Sequence, residues 1–109
     1  LLPSIIRPQP TFGQLAERWL VDAERRCKPG YLKEARWLIE RELKPLVSVR
    51  AGRITRSELA SLLGKVDKPG MHNKALAFVS SVYGLAIATG FDGENPARGL
   101  RKRQLRVQE

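Results

Sequence analysis

Apolar residues recur along this chain at the three- and four-residue intervals of a helix, and no stretch alternates long enough to suggest a strand. Phe12, Leu15, Ala16, Trp19, Leu20 and Ala23 form the first stripe. Thr11 and Gln14 stand ahead of it at capping-box spacing, so a helix is predicted from about Phe12 to Arg26. After "CKPG", the residues Leu32, Ala35, Leu38, Ile39 and Leu43 trace a second helix, which Pro45 stops. The β-branched stretch "LVSVRAGRI" has no partner run with which to pair and reads as an extended connection. Thr55 and Glu58 make another capping box, opening a short helix through Leu59, Leu62 and Leu63 to about Val66. "DKPG" breaks the chain again. The fourth and longest pattern puts Met71, Ala75, Phe78, Val79, Val82, Leu85, Ala86 and Thr89 on its core face, and Gly90 falls where a left-handed residue ends a helix. The pattern predicts an all-α domain of four main helices.

A length of 109 residues with 42% apolar content fits one domain with a modest core. Cys27 is the only cysteine and His72 the only histidine, which removes an internal disulfide, most zinc sites and a Ser-His-Asp or Cys-His arrangement. There is no Walker-type loop and no pair of carboxylates on an apolar site. No catalytic residue, metal or cofactor is predicted. "LLPSIIRPQP" lacks the build of a signal peptide, and the apolar run "ALAFVSSVYGLAIA" is too short for a bilayer, so a soluble, cytoplasmic protein is expected.

Charge sharpens the picture. Twenty Lys and Arg against eleven Asp and Glu give a net charge of +9, which favours a polyanionic partner. Arg98, Arg101, Lys102, Arg103 and Arg106 crowd the end of the chain with no acid among them. On the second helix, Lys33, Arg36, Trp37, Arg41 and Lys44 lie away from the apolar stripe and could follow phosphates. The alternative is a solvated face whose arginines pair with Glu34 and Glu40 and whose Trp37 tucks under a loop. Lys68, His72, Asn73 and Lys74 gather at the start of the fourth helix, where free N–H groups favour an anion and Asn73 could pair with an adenine edge. Ordinary N-terminal capping is the competing explanation. Ala77, Ser80, Ser81, Gly84 and Ala88 give that helix a flank of small residues, against which another helix or a DNA strand could pack closely.

In this order the elements resemble the N-terminal core-binding domain of phage-type integrases, the tyrosine recombinases. "TFGQLAERWL" is similar to that domain's first helix, and "LKPLVSVRAGRITRSELASLL" to its link and short capped helix. "MHNKALAFVSSVYGLAIATGFDGENPARGL" carries the family's Asn and following basic residue near the start of the last helix, then its Gly, acidic turn and Asn-Pro, here Asn73, Lys74, Gly90, Asn95 and Pro96. The link after Pro45 departs from the family's pattern, because the glycine usual one or two residues later comes only at Gly52.

The resemblance implies a four-helix orthogonal bundle of SAM-like type that contacts double-stranded DNA during integration or recombination, with no catalysis of its own. Residues 1–10 are expected to form an extended arm, 11–96 the helical domain, and 97–109 a basic linker toward a catalytic domain lying outside these residues. Lys33, Arg36, Arg41, Lys44, Lys74, Arg98, Arg101, Lys102 and Arg103 would contact mainly phosphates, and Asn73, with His72 beside it, would contact a base. A monomer is expected for the isolated module. A helical protein-interaction adapter and a small RNA-binding helical domain are the alternatives that charge and pattern leave open.

Overall fold

A computed structural model describes residues 9–103. Four α-helices account for most of them: α1 (Phe12–Ala23), α2 (Pro29–Glu40), α3 (Arg56–Gly64) and α4 (Pro69–Ala88). No strand occurs among the described residues. Helix α4 is the centre of the assembly, packed against α1 and α3, while α2 lies on α1.

Both predicted capping boxes form. The Thr11 hydroxyl accepts from the Gln14 N–H at 3.1 Å while the Gln14 side chain accepts from the Thr11 N–H at 2.9 Å, and Thr55 and Glu58 repeat the exchange at the start of α3. Helix α1 ends at Ala23, three residues before the predicted Arg26, with a turn over 24–26. Glu24, Arg25 and Arg26 are all exposed, so no apolar side chain there draws another helical turn onto the core.

Helix α2 likewise ends early, at Glu40, yet Leu43 is fully buried. The chain loosens after the helix so that the Leu43 N–H bonds the Leu38 carbonyl, five residues back, and the side chain drops inward. Pro45, which has no N–H to donate, then begins a different path.

That path corrects the reading of 46–54 as extended. It contains two 3₁₀ turns, Lys44–Leu46 and Ala51–Arg53, and a single β-type bridge between Arg50 and Thr11. Its carbonyls serve the first helix. The Phe12 N–H donates to the Val49 carbonyl at 2.9 Å and the Gly13 N–H to the Val47 carbonyl at 3.0 Å, which satisfies donors that the first turn of any helix leaves free. Contact is close enough that a β-carbon at position 13 would sit 2.8 Å from the Val47 oxygen, so only glycine fits. The partner that the sequence failed to offer this segment is the start of α1, not another strand.

The core joins Phe12, Leu15, Trp19 and Leu20 of α1 with Phe78, Val79, Val82 and Tyr83 of α4, and with Leu38, Leu43, Leu59 and Leu63 around them. Trp19 meets Phe78 edge to face, with centroids 5.0 Å apart. Tyr83, outside the predicted core face, is fully buried and donates its hydroxyl to the Ala51 carbonyl at 2.8 Å. Burial pushes that hydroxyl's pKa well above its ordinary value of 10.0. Thr89, predicted to face the core, is exposed and returns its hydroxyl to the Leu85 carbonyl.

Gly90 ends α4 as its position predicts, with φ of +113°. The Phe91 N–H reaches back to the Ala86 carbonyl and the Gly90 N–H to that of Ile87, the paired bonds of a Schellman ending. Phe91 then packs edge to face on Tyr83. No helix among the described residues is long and apolar enough to cross a membrane.

Candidate nucleic-acid interface

The basic residues of α2 and of the turn that follows it stand clear of the core. Lys33, Arg36, Arg41 and Lys44 are exposed, and among the described residues none has a carboxylate within ion-pair distance. Trp37 is 39% exposed rather than covered by a loop, with the Arg41 guanidinium carbon 5.7 Å from its ring centre. Of the two acids that could have neutralised this face, Glu34 turns elsewhere. Its carboxylate binds Lys74 of α4 at 2.8 Å.

That exposed ion pair links α2 to the first turns of α4 where the two lie side by side. A shallow hollow lined by Gly30, Lys33, Glu34, Trp37 and Met71 fills the space between the two helices. Beyond Lys74, α4 continues outward through Ala77, Ser81, Gly84 and Ala88, all exposed and all small, at intervals that keep them on one side. A cationic helix face and a smooth one therefore lie next to each other.

Two polar residues at the start of α4 are placed differently from their sequence expectation. His72 is buried, 8% exposed, with its Nδ1 at 3.2 Å from the Asn73 Oδ1. Asn73 is half-buried, and its carboxamide is engaged by the backbone of Arg103, donating to the carbonyl at 2.8 Å and accepting from the N–H at 2.6 Å. Both are thus engaged within the chain, His72 by burial and Asn73 through both groups of its amide.

The segment after α4 folds back along that helix. The Asn95 amide donates to the Ser80 carbonyl at 3.2 Å while its oxygen accepts the Ala97 N–H at 3.0 Å, fixing the Asn-Pro step against the middle of α4. A turn over 96–99, with Gly99 at φ +90°, leads to Leu100, which packs on the core. Arg98, Arg101 and Lys102 are exposed. Arg103 alone of this run is half-buried; its guanidinium donates to the carbonyls of Leu63, Gly64 and Val66 at the end of α3. Arg106 lies outside the described residues.

The exposure of Lys33 and Arg36 follows from helical spacing; Arg41 and Lys44, read as part of the same helix, are exposed beyond its end, Arg41 as its C-cap and Lys44 in the 3₁₀ turn that follows. The Glu34–Lys74 and Asn73–Arg103 contacts do not follow from spacing, since they join positions 40 and 30 residues apart with no local signal. Among the described residues no group of three or more His, Cys, Asp or Glu side chains gathers in the manner of a metal site.

Comparison with known proteins accords with this architecture. The family model described as the phage integrase central domain matches residues 12–103. Among solved structures, the solution NMR structure of a fragment spanning 61–160 of a protein from Clostridium leptum superposes with a TM-score of 0.81. It shares 19% sequence identity, and the match covers 93% of this chain and 95% of that one; at this identity the likeness is one of fold. No curated protein matches.

Proposed function

Because the chain belongs to the phage integrase central domain family, whose central domain is a non-catalytic core-binding module, we propose that it is a DNA-binding module of a site-specific tyrosine recombinase. It grips duplex DNA near the crossover site. One observation carries this reading: four cations on α2 and the turn after it, Lys33, Arg36, Arg41 and Lys44, are unpaired among the described residues and lie beside the smooth face of α4, which the Lys74–Glu34 bridge reaches.

Unpaired surface cations interact strongly with phosphate, since each phosphate neutralised releases a condensed counterion. The major groove of B-DNA is wide enough to admit a helix, and the small side chains of Ala77, Ser81, Gly84 and Ala88 let the α4 backbone come near its floor. Lys33, Arg36, Arg41 and Lys44 then reach the phosphates on one side of the groove. Arg98, Arg101 and Lys102, on the segment after α4, supply a second line of charge and lead toward a catalytic domain beyond it.

Fluorescence anisotropy with a random-sequence duplex, the matched single strand and an RNA hairpin, each at several salt concentrations, tests the reading. Duplex binding is expected to be preferred and to weaken by roughly 0.9 log units per phosphate contact for each tenfold rise in salt. Preference for the RNA hairpin would replace it with an RNA-binding domain. Absence of binding at low salt would leave the cationic face as a solvated surface or a protein-docking one.

A further inference from the structure

We propose that Asn73 and Arg103 form a clasp that sets the basic C-terminal segment along α4 before DNA arrives, so that both residues support DNA binding by positioning Arg101 and Lys102. In what it says about DNA, the inference rests on the reading above; the clasp itself rests on the contacts.

The chemistry of Asn73 makes the two roles exclusive. A side-chain amide reads adenine with its oxygen and its NH₂ together. These are the two groups that hold the backbone of Arg103, at 2.6 Å and 2.8 Å, and the oxygen is also approached by His72. An Asn73 that contacts a base must first release the segment.

Arg103 closes the other half. A helix leaves its last carbonyls without partners and carries partial negative charge at that end. The fork of the Arg103 guanidinium lies across the carbonyls of Leu63, Gly64 and Val66, a planar donor set meeting several acceptors at once. One residue is thus bonded through its backbone to the start of α4 and through its side chain to the end of α3.

Between this clasp and the Asn95 anchor at Ser80, residues 96–102 are held at both ends. A groove lined by Leu76, Ala77, Ser80, Ser81, Ala97, Leu100 and Lys102 separates them from the exposed flank of α4. Arg101 and Lys102 are consequently stationed beside the smooth face proposed to meet DNA, and their ordering precedes binding instead of accompanying it.

The test uses the 109-residue chain and four variants: Asn73→Ala, Arg103→Ala, the double variant, and Arg103→Lys. Amide hydrogen exchange on the free protein comes first. Asn73→Ala is expected to speed exchange at the Arg103 N–H by roughly two- to tenfold, the loss of a net hydrogen bond, while amides of Leu15 and Leu20 in α1 stay protected and so report an intact fold. Unchanged exchange at Arg103 would overturn the clasp whatever the DNA results.

Affinity is then measured over a panel of duplexes of different sequence. Each single alanine variant should weaken all of them by a similar factor, roughly two- to tenfold, with the rank order kept, and the double variant should be no weaker than the worse single, because both break the same unit. Arg103→Lys keeps the charge but loses the fork, so it should restore only part of the binding. A changed rank order would make Asn73 a base reader. Additive losses, or full rescue by lysine, would make Arg103 a direct phosphate contact. Failure of the wild-type chain to bind any duplex would overturn the functional reading and leave the exchange result to decide the clasp.

Discussion

At Tyr83 one side chain joins three parts of the molecule. Its ring lies between Phe12 of α1 and Phe91 after α4, and its hydroxyl holds the Ala51 carbonyl in the turn before α3. Tyr83→Phe leaves the rings in place but deprives a buried carbonyl of its donor, and is expected to destabilise the fold by about 1–2 kcal/mol. Thermal unfolding checks this. The pH dependence follows from the same burial. The folded state favours the neutral phenol, so its pKa is raised above 10.0, and the stability it contributes is complete below that value and is lost as pH rises toward the folded-state pKa. Denaturant titrations at neutral and strongly alkaline pH should show the wild type losing more stability on the alkaline side than Tyr83→Phe does. Tyr83 was absent from the predicted core face because the apolar period passes through Val82 and Ala86, and nothing nearby in sequence announces Ala51 as its partner.

The helices show where local signals suffice. Thr11 with Gln14, Thr55 with Glu58, and Gly90 act within a turn of their own positions, and each formed what its spacing implies. Readings that depended on distant residues did not hold: the 46–54 segment is shaped by the free N–H groups of α1, and α2 stops early because Leu43 has a place in the core. The candidate site divides in the same way, with Lys33 and Arg36 legible from helical period and the engagement of Asn73 hidden in a residue 30 positions on. Two glycines of the α4 region should respond oppositely to alanine. Gly90 sits at φ +113°, where a β-carbon is strained, so Gly90→Ala should cost about 1–2 kcal/mol. Gly84 lies inside the helix, exposed, with no neighbour within 4 Å of an added β-carbon, so Gly84→Ala should stabilise by about 0.5–1 kcal/mol. Chemical denaturation of the two variants side by side gives both signs.

Over the whole molecule the charge is +9, and among the described residues only two ion pairs form, so most cations have no carboxylate partner. Lys74 is paired, Arg26 is held by Asp22, and Arg103 serves the end of α3, whereas Lys33, Arg36, Arg41 and Lys44 have no carboxylate partner among the described residues. Lys33→Ala combined with Arg41→Ala should therefore lower duplex affinity and reduce the salt slope by roughly 0.9 per phosphate contact removed. Melting temperature should scarcely move, since neither side chain is buried. Unchanged binding would take α2 out of the interface. The same division between core and surface also separates the two tryptophans. Trp19 is enclosed by Phe78 and Tyr31 in the interior, while Trp37 lies open on the cationic face beneath Arg41. The chain thus carries two intrinsic fluorophores with separate duties: emission from Trp19 follows the integrity of the core, and quenching of Trp37 follows whatever settles on α2, so folding and occupancy can be watched at once in an unlabelled sample.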